Sequence, residues 1–139
     1  MIKLELGNFS ISGFNKSKVK SWLNSAIHNE GAKPGTIQFI ILDDNELLEL
    51  NRTYLNHDTL TDIITFNYNA ELGDISGDIF ISYDRVRDNA ESYEVSPVEE
   101  LLRVMIHGIL HLLGYDDHDA TSKELMRSRE NYYLSLYVF

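Results

Sequence analysis

Two histidines four residues apart, His107 and His111, followed by Gly114, Asp116, Asp117 and His118, are the residues of this chain best suited to chemistry. Along a helix four residues advance about 400° and ~6 Å, so both imidazoles face one way and can aim a ring nitrogen at the same ion. Gly114 suits the left-handed position that ends a helix. The chain can then turn back and bring Asp117 or His118 to that ion. Two imidazoles and one further ligand leave a position open, as in a catalytic rather than a structural zinc-type site. The chain has no cysteine, so a closed thiolate site is excluded. An H-x-x-x-H pair alone is common on helices whose histidines merely face water. The glycine and the Asp-Asp-His run at this distance separate the pattern from that background.

The elements that must position these groups follow from periodicity and capping. Ser96-Pro97-Val98-Glu99 combines a capping-box pattern with proline at the first helical position. Val98, Leu101, Leu102, Met105, Ile109, Leu112 and Leu113 then cover much of the circumference, which makes this the buried central helix and holds its histidines rigidly. Ile2–Leu6, 36–42, 61–68 and 77–83 read as strands. Val19, Trp22, Leu23, Ala26 and Ile27 mark a helix over 16–29, and Asp43-Asp-Asn-Glu46 caps another that carries Leu47, Leu48, Leu50 and Tyr54. A last helix begins near Thr121 and runs to about Tyr137, with Leu125, Tyr132, Leu136 and the neighbouring aromatics expected in the core. The alternation gives an α/β sandwich with a sheet of about four strands and about five helices, and the metal site lies on a central helix and the loop after it.

At 139 residues, with no repeat or linker, residues 1–139 form one domain with a single core. No basic-then-apolar leader opens the chain and no apolar run approaches ~20 residues, so a cytoplasmic protein without a membrane partner is expected. The absence of cysteine suits a reducing compartment. The formal charge of −10 disfavours tight non-specific nucleic-acid binding and any DNA partner, because phosphate contacts come from Lys and Arg. It leaves room for a short RNA segment gripped at a metal and a local basic patch, with Lys16, Lys18 and Lys20 or Arg85, Arg87 and Arg103 as candidates.

The H-G-x-L-H-L-x-G-Y-D run from His107 to Asp116, with T-D-I-I-T-F from Thr61 and G-D-I-F-I-S from Gly77, resembles the YbeY family of bacterial rRNA maturation factors. The resemblance implies a single-strand-specific metallo-endoribonuclease that acts in 3′-end maturation of small-subunit (16S) rRNA and in ribosome quality control. Its partners would be ribosomal RNA and the small ribosomal subunit. It further implies one Zn2+ per chain, with another transition metal such as Ni2+ as the alternative. The family's third histidine falls at Asp117 here, which favours Asp117 as third ligand and leaves His118, one residue late, as the alternative. Leu55 stands where many members carry an arginine thought to serve the phosphodiester chemistry. His57 is the nearest group that could substitute for it.

Such an ion would polarise a phosphoryl oxygen and activate water or the RNA 2′-hydroxyl; the sequence names no general base. Thr61, Asp62, Gly77 and Asp78 could border the site, although an aspartate opening a strand more often bonds local backbone amides and Gly77-Asp78 reads as a turn into a strand. Asp116 reads as solvated or as a partner for an imidazole N–H. Two rivals remain. A zinc peptidase needs a glutamate directly after the first histidine, where this chain has Gly108. A non-catalytic ribosome-assembly or RNA-binding factor with a structural metal fits the acidic composition and Leu55.

Overall fold

The computed structural model describes residues 1–56, 61–69 and 74–139. In chain order its elements are β1 (Ile2–Glu5), α1 (Lys16–Asn29), β2 (Lys33–Leu42), α2 (Asp44–Leu55), β3 (Ile63–Asn67), β4 (Asp74–Ser82), α3 (Tyr83–Tyr93), α4 (Pro97–Leu112) and α5 (Ala120–Ser135). The sheet runs β1-β2-β4-β3, with β1, β2 and β4 parallel and β3 antiparallel to β4 at the edge. This is the expected α/β architecture.

Strand alternation divides the two faces. Ile79 and Ile63 point at α4, while on the other side Phe66 stacks edge-to-face with both Phe80 and Tyr54 of α2. The helix α4 buries Leu101, Leu102, Met105, Ile106, Ile109 and Leu110 between the sheet, α1, α3 and α5. It is the central helix that its sequence announces. Two glycines bring it close to the sheet. A Cβ on Gly108 would lie 3.0 Å from Ile79 Cδ1, and one on Gly77 would lie 2.5 Å from the Phe66 carbonyl oxygen and 2.9 Å from Leu112 Cδ2.

Capping is as the sequence predicts at α2, where Asp43 and Glu46 form a reciprocal box. At α4 only half of the expected box is present: the Ser96 side chain accepts from the Glu99 N–H, and Pro97 takes the first turn.

Three readings need correction. Gly77-Asp78 is not a turn: both residues lie inside β4, paired with Ile37 and Gln38 on one side and with Asn67 and Phe66 on the other. Tyr83 belongs to α3 rather than to a strand, because Ser82 caps that helix by accepting from the Arg85 N–H. On α5 the expected core residues Leu125, Tyr132 and Leu136 are exposed (52, 43 and 55%), while the neighbouring aromatics Tyr133 and Tyr137 are buried as expected; the helix's buried stripe is Met126, Glu130 and Tyr133. A glutamate in the middle of that stripe hides it from any reading by hydrophobicity.

Candidate metal centre

The end of α4 builds the site. After Leu113 the Gly114 N–H bonds to the His111 carbonyl at 3.0 Å and the Tyr115 N–H to the Leu110 carbonyl at 3.0 Å. Gly114 has φ +105°, so this is the glycine-dependent Schellman turn. A second tether holds the reversed chain: the Tyr115 hydroxyl donates to Glu30 Oε1 at 2.7 Å, and Glu30 is itself held by Arg129 and by the Tyr133 hydroxyl. The loop therefore leaves α4 on a fixed path, and Asp117 comes back over the two histidines.

His107 Nε2 and His111 Nε2 lie 3.0 Å apart; Asp117 Oδ2 is 3.7 Å from the first and Asp117 Oδ1 3.8 Å from the second. Ligands at ~2.0–2.1 Å around a tetrahedral ion are themselves about 3.3 Å apart; the three ligand atoms here lie within 4.8 Å of one another, so a zinc-type ion would draw the Asp117 carboxylate inward. Among the described residues this is the only group of three or more His, Asp or Glu side chains whose ligand atoms converge in this way. His118 is exposed, stands outside the group, and its backbone N–H contacts Asp116 Oδ1 at 3.4 Å. Asp116 is exposed as well. His57 lies outside the described residues.

The hydrogen bonds around the imidazoles choose their tautomers. Glu130 Oε2 sits 2.6 Å from His107 Nδ1, so Nδ1 carries the proton and Nε2 presents its lone pair to the ion position. The Tyr115 backbone accepts from the His111 ring. Arg103 Nη1 donates to Glu130 Oε1 at 3.1 Å while Nη2 donates to Asn131 Oδ1 at 2.8 Å, which fixes the glutamate in turn. Burial works to lower the His107 pKa, but the hydrogen bond and charge of Glu130 outweigh it and hold the pKa above the usual value. Burial and the neighbouring His107 lower the His111 pKa. A cation arriving here would meet the two Nε2 atoms and the Asp117 carboxylate, with Glu130 behind His107 on its Nδ1 side. Glu130 was not anticipated. The only signal for it was negative: a charged residue at helical spacing from Met126 and Tyr133.

Beside the histidines opens a cavity of about 550 Å³, lined among others by Asp62, Asn89, Tyr93, Glu100, Lys123 and Arg127. Thr61 and Asp62 do border the site, and burial raises the Asp62 pKa. The anticipated basic patch of Arg85, Arg87 and Arg103 is not free for phosphate. Arg85 pairs with Asp44 and Asp88, Arg87 with Asp84, and Arg103 with Glu130. Leu55 ends α2, with 42% of its surface exposed.

The fold and site define an α/β protein with a partly open His-His-Asp cluster at the end of its central helix. Comparison with known proteins places it further. The sequence profile described as Endoribonuclease YbeY matches residues 5–138, so the chain belongs to the YbeY family. The endoribonuclease YbeY of Flavobacterium psychrophilum is 52% identical over 118 residues, covering 84% of this chain and 83% of that protein. That of Phocaeicola vulgatus is 43% identical over 136 residues, covering 98% of each. Among solved structures, the solution structure of TM1509 from Thermotoga maritima superposes with a TM-score of 0.68 at 28% identity, covering 97% of this chain and 87% of that one.

Proposed function

We propose that this chain, acting as one domain over residues 1–139, is a metal-dependent endoribonuclease that cuts single-stranded RNA. Its place is in 3′-end maturation of small-subunit (16S) rRNA and in ribosome quality control, in the cytoplasm beside the small subunit. The observation that carries this reading is the convergence of His107, His111 and Asp117 in a chain whose relatives are named endoribonucleases. These three side chains would hold one Zn2+. When bound, the ion would supply Lewis-acid polarisation of a phosphoryl oxygen and lower the barrier to attack on phosphorus.

The protein's own groups do the rest. Glu130 orients His107 and balances the added positive charge, Arg103 holds Glu130, and the Tyr115–Glu30 tether fixes the loop that delivers Asp117. An aspartate in place of a third imidazole leaves the ion with one less unit of charge for activating an attacking oxygen. No helix among the described residues is long and apolar enough to cross a membrane.

One observation favours a second reading, an RNA-binding assembly factor with a structural metal: Leu55, where the family resemblance leads one to expect arginine, cannot bind phosphate. The peptidase reading loses ground further. Gly108 has no carboxylate, and a Cβ added there would crowd Ile79 and Ile63 at 3.0–3.2 Å. Incubating labelled single-stranded RNA with zinc-loaded protein tests the proposal. Cleavage that chelation abolishes and zinc restores is expected; intact RNA in every metal supports the assembly factor.

A further inference from the structure

Glu100 sits on α4 seven residues before His107, which places it on the same face and about 10 Å away along the axis. Only 5% of the residue is exposed, its carboxyl opens on the 550 Å³ cavity, and among the described residues no hydrogen bond reaches that carboxyl. A carboxyl held mostly out of water with no donor beside it is costly to ionise. It is also too far from the histidines to act on a phosphate held there. That distance is right for the base of the neighbouring nucleotide, and single-stranded RNA is read on such splayed base edges and by stacking on aromatic rings. The cavity supplies the remaining parts. Tyr93, 59% exposed, offers a ring face on α3, and Lys123 and Arg127 on α5 enter no ion pair among the described residues.

We propose, on the basis of the endoribonuclease reading above, that this cavity is a base-reading subsite for the nucleotide next to the cleaved phosphodiester, in which the Glu100 carboxylate accepts the two adjacent N–H donors on the Watson–Crick edge of a guanine. A carboxylate offers only acceptors, side by side. Among the four RNA bases guanine alone presents two adjacent donors on that edge. Adenine and cytosine each set an acceptor beside their donor, and uracil offers one donor between two acceptors. The groups facing Glu100 suit such a ligand. Burial above all raises its pKa, Arg103 on α4 and Arg127 on α5 pull it down, Asp62 before β3 and Glu130 on α5 push it up, and the net value is about 7. The carboxyl therefore becomes ionised at little cost when two donors arrive. Tyr93 would stack on the base, and Lys123 and Arg127 would meet the next phosphate.

The test uses zinc-loaded full-length protein and short single-stranded RNAs that differ only at the nucleotides flanking a mapped cut. Wild type is expected to prefer guanine at one flanking position by at least about tenfold in kcat/KM, a ratio that falls below about threefold in Glu100→Gln. A second arm titrates wild type and Glu100→Gln with GMP, AMP, CMP and UMP and follows NMR shifts of Tyr93 and the first turns of α4. GMP should bind tightest, and only to wild type. Cleavage with no guanine preference, or with one that Glu100→Gln leaves intact, overturns the subsite while the nuclease stands. A preference for another base that Glu100→Gln removes overturns the guanine assignment. If no RNA is cut yet GMP binds through Glu100, the subsite stands and the nuclease reading falls. If neither happens, both fall.

Discussion

Glu100 and Glu130 are two buried glutamates, 5 and 6% exposed, on adjacent helices that wall the same cavity. Glu130 is fully engaged: one oxygen meets His107 Nδ1 and the other meets Arg103. Glu100 has no hydrogen bond among the described residues and keeps a raised pKa of about 7. The paired carboxylate has a job inside the resting protein, orienting a ligand histidine. The unpaired one has an open valence, which is what a binding site looks like before its ligand arrives.

The largest expected effect removes the group that Glu130 serves. His107→Ala should lower cleavage of single-stranded RNA by on the order of a thousandfold or more, with far-UV circular dichroism unchanged because α4 is held by its capped start and apolar contacts. If a His107→Ala, His111→Ala double variant still cuts at the wild-type rate, the activity is not this protein's.

The stripe that carries Glu130 can be tested next. Met126→Ala should destabilise by about 2–4 kcal/mol in urea melts, whereas Leu125→Ala, one residue away and exposed, should stay within about 0.5 kcal/mol. Equal costs would mean that α5 is rotated from the orientation that brings Glu130 to His107.

The pH dependence separates the two glutamates. The Glu100 carboxyl is raised from 4.5 to about 7, so between those values the folded state holds a proton that the unfolded state releases. Stability then falls as pH rises across that window, by up to about 3 kcal/mol. Glu100→Gln should accordingly melt at a higher temperature than wild type at pH 8 and at the same temperature at pH 4. Glu130→Gln should show the opposite character: no gain in stability, and zinc affinity lower by about 10- to 100-fold. A Glu130→Gln variant that binds zinc like wild type would reduce that carboxylate to a packing residue.

How much of this the sequence carried differs along the site. The helix α4 was legible because caps, proline, leucines and histidines all agree on one element. Its turn was legible because Gly114 needs a positive φ. The role of α5 was hidden by the charge at Glu130, which breaks the apolar period at the residue where function needs a carboxylate. Helix α3 was also missed, since only Tyr83, Val86 and Ala90 are buried on it and the rest is polar. Gly77-Asp78 misled for another reason: a Gly-Asp pair signals a turn locally, but this glycine is set by the close approach of Leu112 and the Phe66 carbonyl.

The smallest expected effect concerns the third ligand. Asp117→Ala should weaken zinc binding at least tenfold, about 1.4 kcal/mol, while His118→Ala changes it less than about twofold and Asp117→His keeps the metal. Competitive titrations of the three variants read this directly.

The most direct measurement is an anomalous-difference map from crystals of the zinc-loaded protein. It should show one peak per chain, ~2.0–2.2 Å from His107 Nε2, His111 Nε2 and an oxygen of Asp117, with Glu130 still on His107 Nδ1. A peak away from the two histidines, or one bound by the His118 imidazole with Asp117 turned out to solvent, would contradict the proposed site.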